Sequence, residues 1–400
     1  MRSLGATSGI DENDKEILAA AASVFWIGAL TKLLFPTLYS DVQALFGGYV
    51  QSVGHSIPYL DFGVEYPPPV GMLIWTAGFF TWVDPKQPAL GYGLFQASVI
   101  FPFAVAIAYY SIRIAAHIGV SKTRVGLIVV ASATFFYFTY FNWDAPTVAL
   151  MLGAIYYFLK RRPRIAYVML SLGASIKIYP LVLLPLFWLY SDAGWKPTAK
   201  RLTLIRYFIY PLLLINAPFA ILAPTNFARM LSVNFVTGAN FWIEDSWLIY
   251  PNILVFQGDY YATRLTSYLI IGSLGLLSLY RFRDRRDDRT FVRISLMLVI
   301  AGIFGFTGVP PQFMLMAIPL LALVDAVDPY LARFVDLVNV LIIVMWFTYD
   351  TGPFGVVTAV SSLRQWILLA VYVLLLQRDR ARTADLSGLL QWLRTPIRGE

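Results

Sequence analysis

The stretch Tyr39–Pro69 reads YSDVQALFGGYVQSVGHSIPYLDFGVEYPPP and lies between two hydrophobic segments. It holds three carboxylates (Asp41, Asp61, Glu65), one of the two histidines of the chain (His55), and no Lys or Arg. A polar connection this long, in a chain otherwise built for lipid, covers a site or forms one. Its lack of positive charge assigns it to the non-cytoplasmic side.

The rest of the chain supplies the lipid-facing context. Of 400 residues, 58% are hydrophobic, 16% aromatic and only 14% charged, against about 25% charged in ordinary soluble proteins. The apolar residues fall in blocks of roughly 15 to 25, the length that crosses a hydrocarbon core of ~30 Å. Continuous apolar runs, with no short alternating strands, exclude a transmembrane barrel. The fold class is an all-α polytopic membrane protein, a single integral membrane domain over residues 1–400. About 11–13 transmembrane helices are expected, with interfacial helices in the extracytoplasmic loops. Ile17–Leu38 is long and lacks a clear cleavage site, so it reads as the first span and not as a removed signal.

The net charge of +8 is not a nucleic-acid footprint. The basic residues cluster in KRRPR (160–164), RFRDRRDDR (281–289) and the tail beyond residue 378, which orient spans and touch anionic headgroups. On this rule 378–400 is a cytoplasmic tail, and the long loops 39–69 and 224–263 are extracytoplasmic. Both ends of 165–190 then fall on the cytoplasmic side, so that segment turns back near Pro180. Each arm is too short to reach the far lipid surface, and Lys177 sits at the bottom of an outward-opening cavity. The region 69–113 needs an odd number of crossings; a break at Pro102 is one way to supply it. The loop 224–263 is aromatic and amphipathic and reads as helices lying in the membrane plane.

Several residues carry possible chemistry. Asp41 follows the first span closely; it is placed to take a proton from a hydroxyl or to cap the helix that begins there. Lys177, in SIKIYP, is an intramembrane cation costing about 3 kcal/mol on insertion scales, to be met by a phosphate or by a nearby Asp. Asn142 and Asp144 (FNWDAP) sit at a helix start, where Asp144 fits an N-cap with Pro146 at an early helical position. Asp61 orders the turn DFG, and Glu65 is nearer the membrane, in position to hold an acceptor. Glu244 and Asp245 read as an exposed acidic pair among aromatics that include Trp247, and Arg229 and Arg264 flank the same loop. No HExxH, cysteine or glycine-rich phosphate loop is present, and the two histidines fall on opposite sides, so the sequence carries no metal or cofactor signature, and a divalent metal stays open.

Taken in order, five segments resemble the GT-C membrane glycosyltransferases, in particular glycosyltransferase family 87, the polyprenol-phosphate-mannose-dependent mannosyltransferases. They are SDVQALFGGY, then DFGVEYPPP, then NWDAPTVALMLGAIYYFLKRRPRIAYVMLSLGASIKIYPLVLLP, then NFWIEDSWLIY with Asp245 inserted, and last GVPPQFMLMAIPLLAL. The resemblance implies a GT-C type bundle in the plasma membrane, with its active site facing outward. It implies Asp41 as general base and Lys177 near the phosphate of a polyprenyl-phosphate sugar. Beside these two, Arg229 and Arg264 are further candidates for the phosphate, and Glu65, His55, Asp61, Asn142, Asp144, Glu244, Asp245, Trp247 and Gln312 are the candidates around the sugar and a glycolipid or lipid-linked acceptor. Inverting transfer is the expected reaction. The partners implied are membrane lipids, donor and acceptor, with no nucleic acid. A secondary transporter or lipid flippase is the competing class, since it too uses intramembrane charge and broken helices.

Overall fold

The computed structural model describes residues 10–35, 38–51, 54, 56–191, 197–237, 245–346, 349, 352 and 354–377. Each apolar block of the sequence becomes helix, and no strand forms among the described residues. Among the described residues six helices are long and apolar enough to cross a membrane: Glu12–Leu34, Pro88–Ile118, Pro197–Leu222, Tyr260–Arg281, Pro329–Trp346 and Val356–Gln377. Shorter apolar helices, Asp144–Leu159, Pro163–Ile176, Tyr179–Tyr190 and Pro311–Leu323, pack among them. The protein is an all-α polytopic membrane protein.

Pro102 does not split its segment. It lies inside one continuous helix, Pro88–Ile118, of 31 residues, ~46 Å long and ample for a crossing. The preceding helix, Pro68–Gly78, has 11 residues and at ~16 Å cannot cross by itself. Of these two helices only Pro88–Ile118 is long enough to cross, which agrees with the odd number that the charge pattern requires.

The predicted hairpin forms, with its break slightly earlier than Pro180. Helix Pro163–Ile176 stops at Lys177, whose backbone is extended (φ −149°, ψ 140°); a 3-10 turn Tyr179–Leu183 and helix Leu184–Tyr190 lead back. The hydroxyls of Tyr167 and Ser191, at the open end, lie 3.3 Å apart. Two arms of ~20 Å thus put Lys177 at the tip.

The basic connectors gather on one face. His117 and Arg161 both reach Asp288, at 2.8 and 3.0 Å. Arg289 donates to the Ile118 carbonyl at 2.8 Å, and Tyr190 to that of Arg285 at 2.6 Å. Lys122 pairs with Asp11 and Asp14 at 2.6 and 2.7 Å. The two long loops gather elsewhere and touch: Asn226 and Asn234, on Pro224–Ser232 and the wider turn after it, donate to the carbonyls of Tyr59 and Glu65 at 2.6 and 2.8 Å. Tyr59, Val64, Ala223 and Met230 form a small apolar core between them.

The last two spans lock the segment before Pro311–Leu323. Arg364 is fully buried and donates to Asn339 Oδ1 at 2.7 Å and to the Val309 carbonyl. Asn339 in turn donates to Thr134 Oγ1 at 3.1 Å and the Pro311 carbonyl at 3.0 Å. Replacing Arg364 by Ala leaves two buried acceptors without their charged donor, a loss of about 2 kcal/mol. We expect a lower thermal unfolding midpoint in detergent for Arg364→Ala than for Leu363→Ala on the exposed face of the same helix; equal midpoints would remove this lock from the account.

Candidate active site

Local structure around Asp41 separates capping from chemistry. Ser40 is the N-cap of helix Asp41–Leu45, its hydroxyl accepting from the Gln43 amide at 3.3 Å. The Asp41 carboxylate is therefore not the cap. It accepts instead from Asn142 Nδ2 at 3.2 Å and from the Tyr39 hydroxyl. Asn142 also reaches the other way, its Oδ1 accepting from the Asp144 amide at 2.9 Å.

Asp144 corrects a second capping expectation. The N-cap of Asp144–Leu159 is Trp143, with no side-chain cap bond. Asp144 is buried, and its Oδ1 meets Lys177 Nζ at 2.9 Å and the Tyr179 hydroxyl at 3.1 Å. Its Oδ2 is buried with no hydrogen-bond partner among the described residues. Asn142 and Asp144 thus join Asp41 on the first loop to Lys177 at the hairpin tip.

Aromatic rings wall this cluster. Lys177 Nζ lies 5.9 Å from the ring centres of Tyr66 and Phe313, within cation–π range. Tyr66 packs edge-on to Trp143 at 5.0 Å, and Phe313 on Tyr179 at 5.5 Å. Beyond Phe313 comes Phe306, at 6.4 Å, and over Phe306 lies the Arg264 guanidinium at 5.0 Å. Arg264 is buried and donates to Thr307 Oγ1 at 2.6 Å; its Nε has no partner among the described residues. Two cations therefore sit on either side of one aromatic pair.

Electrostatics couple the loop to the hairpin. Burial pushes the Asp41 carboxyl above the usual carboxylate range; the Lys177 charge and the bonds from Asn142 and Tyr39 pull it back. Glu65 is pushed up by the protein around it and by Asp41, and pulled back by Lys177.

Other expected residues fall outside this cluster. Asp61 is exposed and accepts from the Ile57 amide at 2.6 Å, which orders the loop. Asp245 is buried, not exposed, and its charge faces Arg364. Trp247 stacks on Phe304 at 5.0 Å and donates to its carbonyl at 2.8 Å, so it anchors the chain. Arg229 is exposed beside Gly63, and Gln312 is buried in the turn Pro311–Phe313 next to Phe313. His55 and Glu244 lie outside the described residues.

Sequence reasoning missed Tyr39, Tyr66 and Lys32. Tyr66 adjoins Glu65, and its proximity to Lys177 is visible only in three dimensions. Lys32 is buried, donates to the Tyr137 carbonyl at 2.6 Å and covers the Tyr137 ring at 4.3 Å. Tyr137 in turn donates to the Tyr39 carbonyl at 3.3 Å, so Lys32 steadies the wall beside Asp41. A charge written inside an apolar run was its only signal.

These features define a helical membrane protein with a carboxylate–lysine cluster between the loop 39–69 and a hairpin tip. The profile of glycosyltransferase family 87 matches residues 65–305. That is more than half of the chain, which belongs to this family and is a glycosyltransferase. No curated protein matches the chain. The match starts at Glu65 and includes Asn142, Asp144, Lys177 and Arg264; Asp41 precedes it, so the place of Asp41 rests on its contacts.

The ion pair makes a measurable claim. Truncating one partner of a buried pair costs about 3–5 kcal/mol because the other charge is left uncompensated. Asp144→Ala should lower the unfolding midpoint more than the double variant Asp144→Ala/Lys177→Met. A double variant as unstable as the sum of its singles would contradict the pairing.

Proposed function

We propose that the chain transfers a monosaccharide, mannose by resemblance, from a polyprenyl-phosphate donor to a hydroxyl of a glycolipid or lipid-linked acceptor, with inversion. The observation that carries this reading is the link Asp41–Asn142–Asp144–Lys177, which puts a proton acceptor and a cation at one cluster. The acceptor hydroxyl gives its proton to Asp41 as its oxygen attacks the anomeric carbon. The bond from that carbon to the phosphate oxygen breaks, and the electron pair leaves with the phosphate. Lys177 and Arg264 meet the charge that develops there, with Arg229 at the loop edge. Preorganised charges and positioning supply the barrier reduction. Asp144 Oδ2, buried and without a partner among the described residues, is available to accept from a sugar hydroxyl, with Glu65 on the same loop as Asp41 and within reach of its charge.

The site is assigned to the extracytoplasmic face of the plasma membrane. The supporting observation is that the basic connectors meet at Asp288 and Arg289, on a face that includes neither long loop. Membership of a glycosyltransferase family favours this reaction over transport or lipid flipping, and membrane lipids are the partners.

The test is incubation of purified protein with radiolabelled polyprenyl-phosphate sugars and a crude lipid extract. A general base contributes about 10²–10⁴-fold, so Asp41→Asn should lose at least a hundredfold in product formation while still inserting in the membrane; retention of most activity would sink the base assignment.

The pH profile follows from the direction of the Asp41 shift. A base works only when deprotonated, so the rate should rise with pH through an inflection above the ordinary value of 3.8. Asn142→Ala removes a hydrogen bond that favours the charged carboxylate. It should move the inflection higher still; an unmoved or lowered inflection would disconnect Asn142 from the base.

A further inference from the structure

A cavity lies beside the turn that follows Asp41–Leu45. It has a volume of about 240 Å³ and is lined by Phe46, Tyr49, Phe62, Ile74, Trp75 and Gly78, among others. One wall is the turn Phe46–Gln51, which runs straight on from Asp41–Leu45. Another is Pro68–Gly78, the helix too short to cross.

Tyr49 divides this cavity from the catalytic cluster. Its ring lines the cavity and packs on Phe62 at 5.6 Å, while its hydroxyl side faces Glu65. At the other end the lining Trp75 packs edge-on to Phe79 at 4.9 Å. Phe79, Trp82 and Val83 are 43%, 71% and 50% exposed, an apolar rim suited only to lipid. Glycine keeps the wall thin at Gly78, where an added Cβ would meet Val50 at 3.1 Å.

We propose that this cavity receives a hydrocarbon chain of the acceptor, entering from the bilayer at Phe79–Val83 and leaving the acceptor's hydroxyl beyond Tyr49, toward Asp41. The acceptor is the occupant because the cavity shares a continuous helical wall with the base, and the base must touch the acceptor. The donor phosphate belongs at the hairpin tip, across Asp41 from this wall. The inference rests on the transferase reading above, and deepens it by making the acceptor a lipid recognised through its tail.

The experiment uses the full-length protein in phosphatidylcholine nanodiscs, with a monoacylglycerol carrying a diazirine in its acyl chain. After illumination, adducts are mapped by mass spectrometry. The expected adducts fall within residues 46–51, 56–62 and 72–82. Excess unlabelled monoacylglycerol should remove them, and farnesyl phosphate should not. Gly78→Leu and, one turn further on, Thr81→Trp should each reduce cavity labelling at least fivefold, with adducts at the exposed Leu213 and Leu214 unchanged as evidence of insertion. Labelling confined to exposed helix surfaces, unaffected by both substitutions, or removed by farnesyl phosphate would overturn the assignment. Asp41→Asn should keep the labelling and lose transfer; labelling with transfer also intact would instead overturn the base.

Discussion

The ion pair between Lys177 and Asp144, 2.9 Å long, holds the site together. Lys177 stands where a helix has just ended, with its backbone extended and its ammonium aimed across the hairpin tip. An unpaired charge in that position is costly. Asp144 offsets it from the first turn of a buried helix, and the adjoining Asn142 carries the connection to Asp41. Three short stretches far apart in the chain are fixed relative to one another through one salt bridge and two hydrogen bonds. A pair of this kind need not be a net source of stability; its value here is geometric.

The surrounding fold serves that geometry. The hairpin of two short arms delivers Lys177 to the loop without a full crossing, and Tyr66, just before the short helix Pro68–Gly78, lies against the ammonium. On the far side, Arg364 and Asn339 hold the segment Val309–Pro311, and the next turn presents Phe313 to Lys177 and Tyr179. The C-terminal spans thus shape the cluster although no ionisable residue of theirs enters it.

Much of the architecture was legible in the chain because apolar run length and basic connectors are direct consequences of lipid. The turn at Lys177 was readable from charge on both flanks and a proline in the middle. What misled was local pattern: Pro102 looked like a break, yet a long helix tolerates a proline when its neighbours are packed. Ser40-Asp41 and Asp144 both looked like caps, since acidic residues at helix starts are favoured for that reason alone. Only the third dimension shows that Ser40 does the capping while both carboxylates turn toward Lys177 and Asn142. Asp245 and Trp247 misled similarly: an acidic residue among aromatics suggests a sugar site, whereas Asp245 faces a buried arginine in a span over a hundred residues on. Long-range pairing of that sort leaves no trace in spacing.

The most direct test of the central claim is a cryo-EM structure with a non-cleavable phosphonate analogue of a polyprenyl-phosphate sugar. The phosphonate should lie within ion-pair reach of Lys177 or Arg264, with the anomeric carbon turned toward Asp41 and the prenyl chain outside the cavity behind Tyr49. A sugar bound on the basic-connector face, or a phosphonate out of reach of both cations, would contradict it.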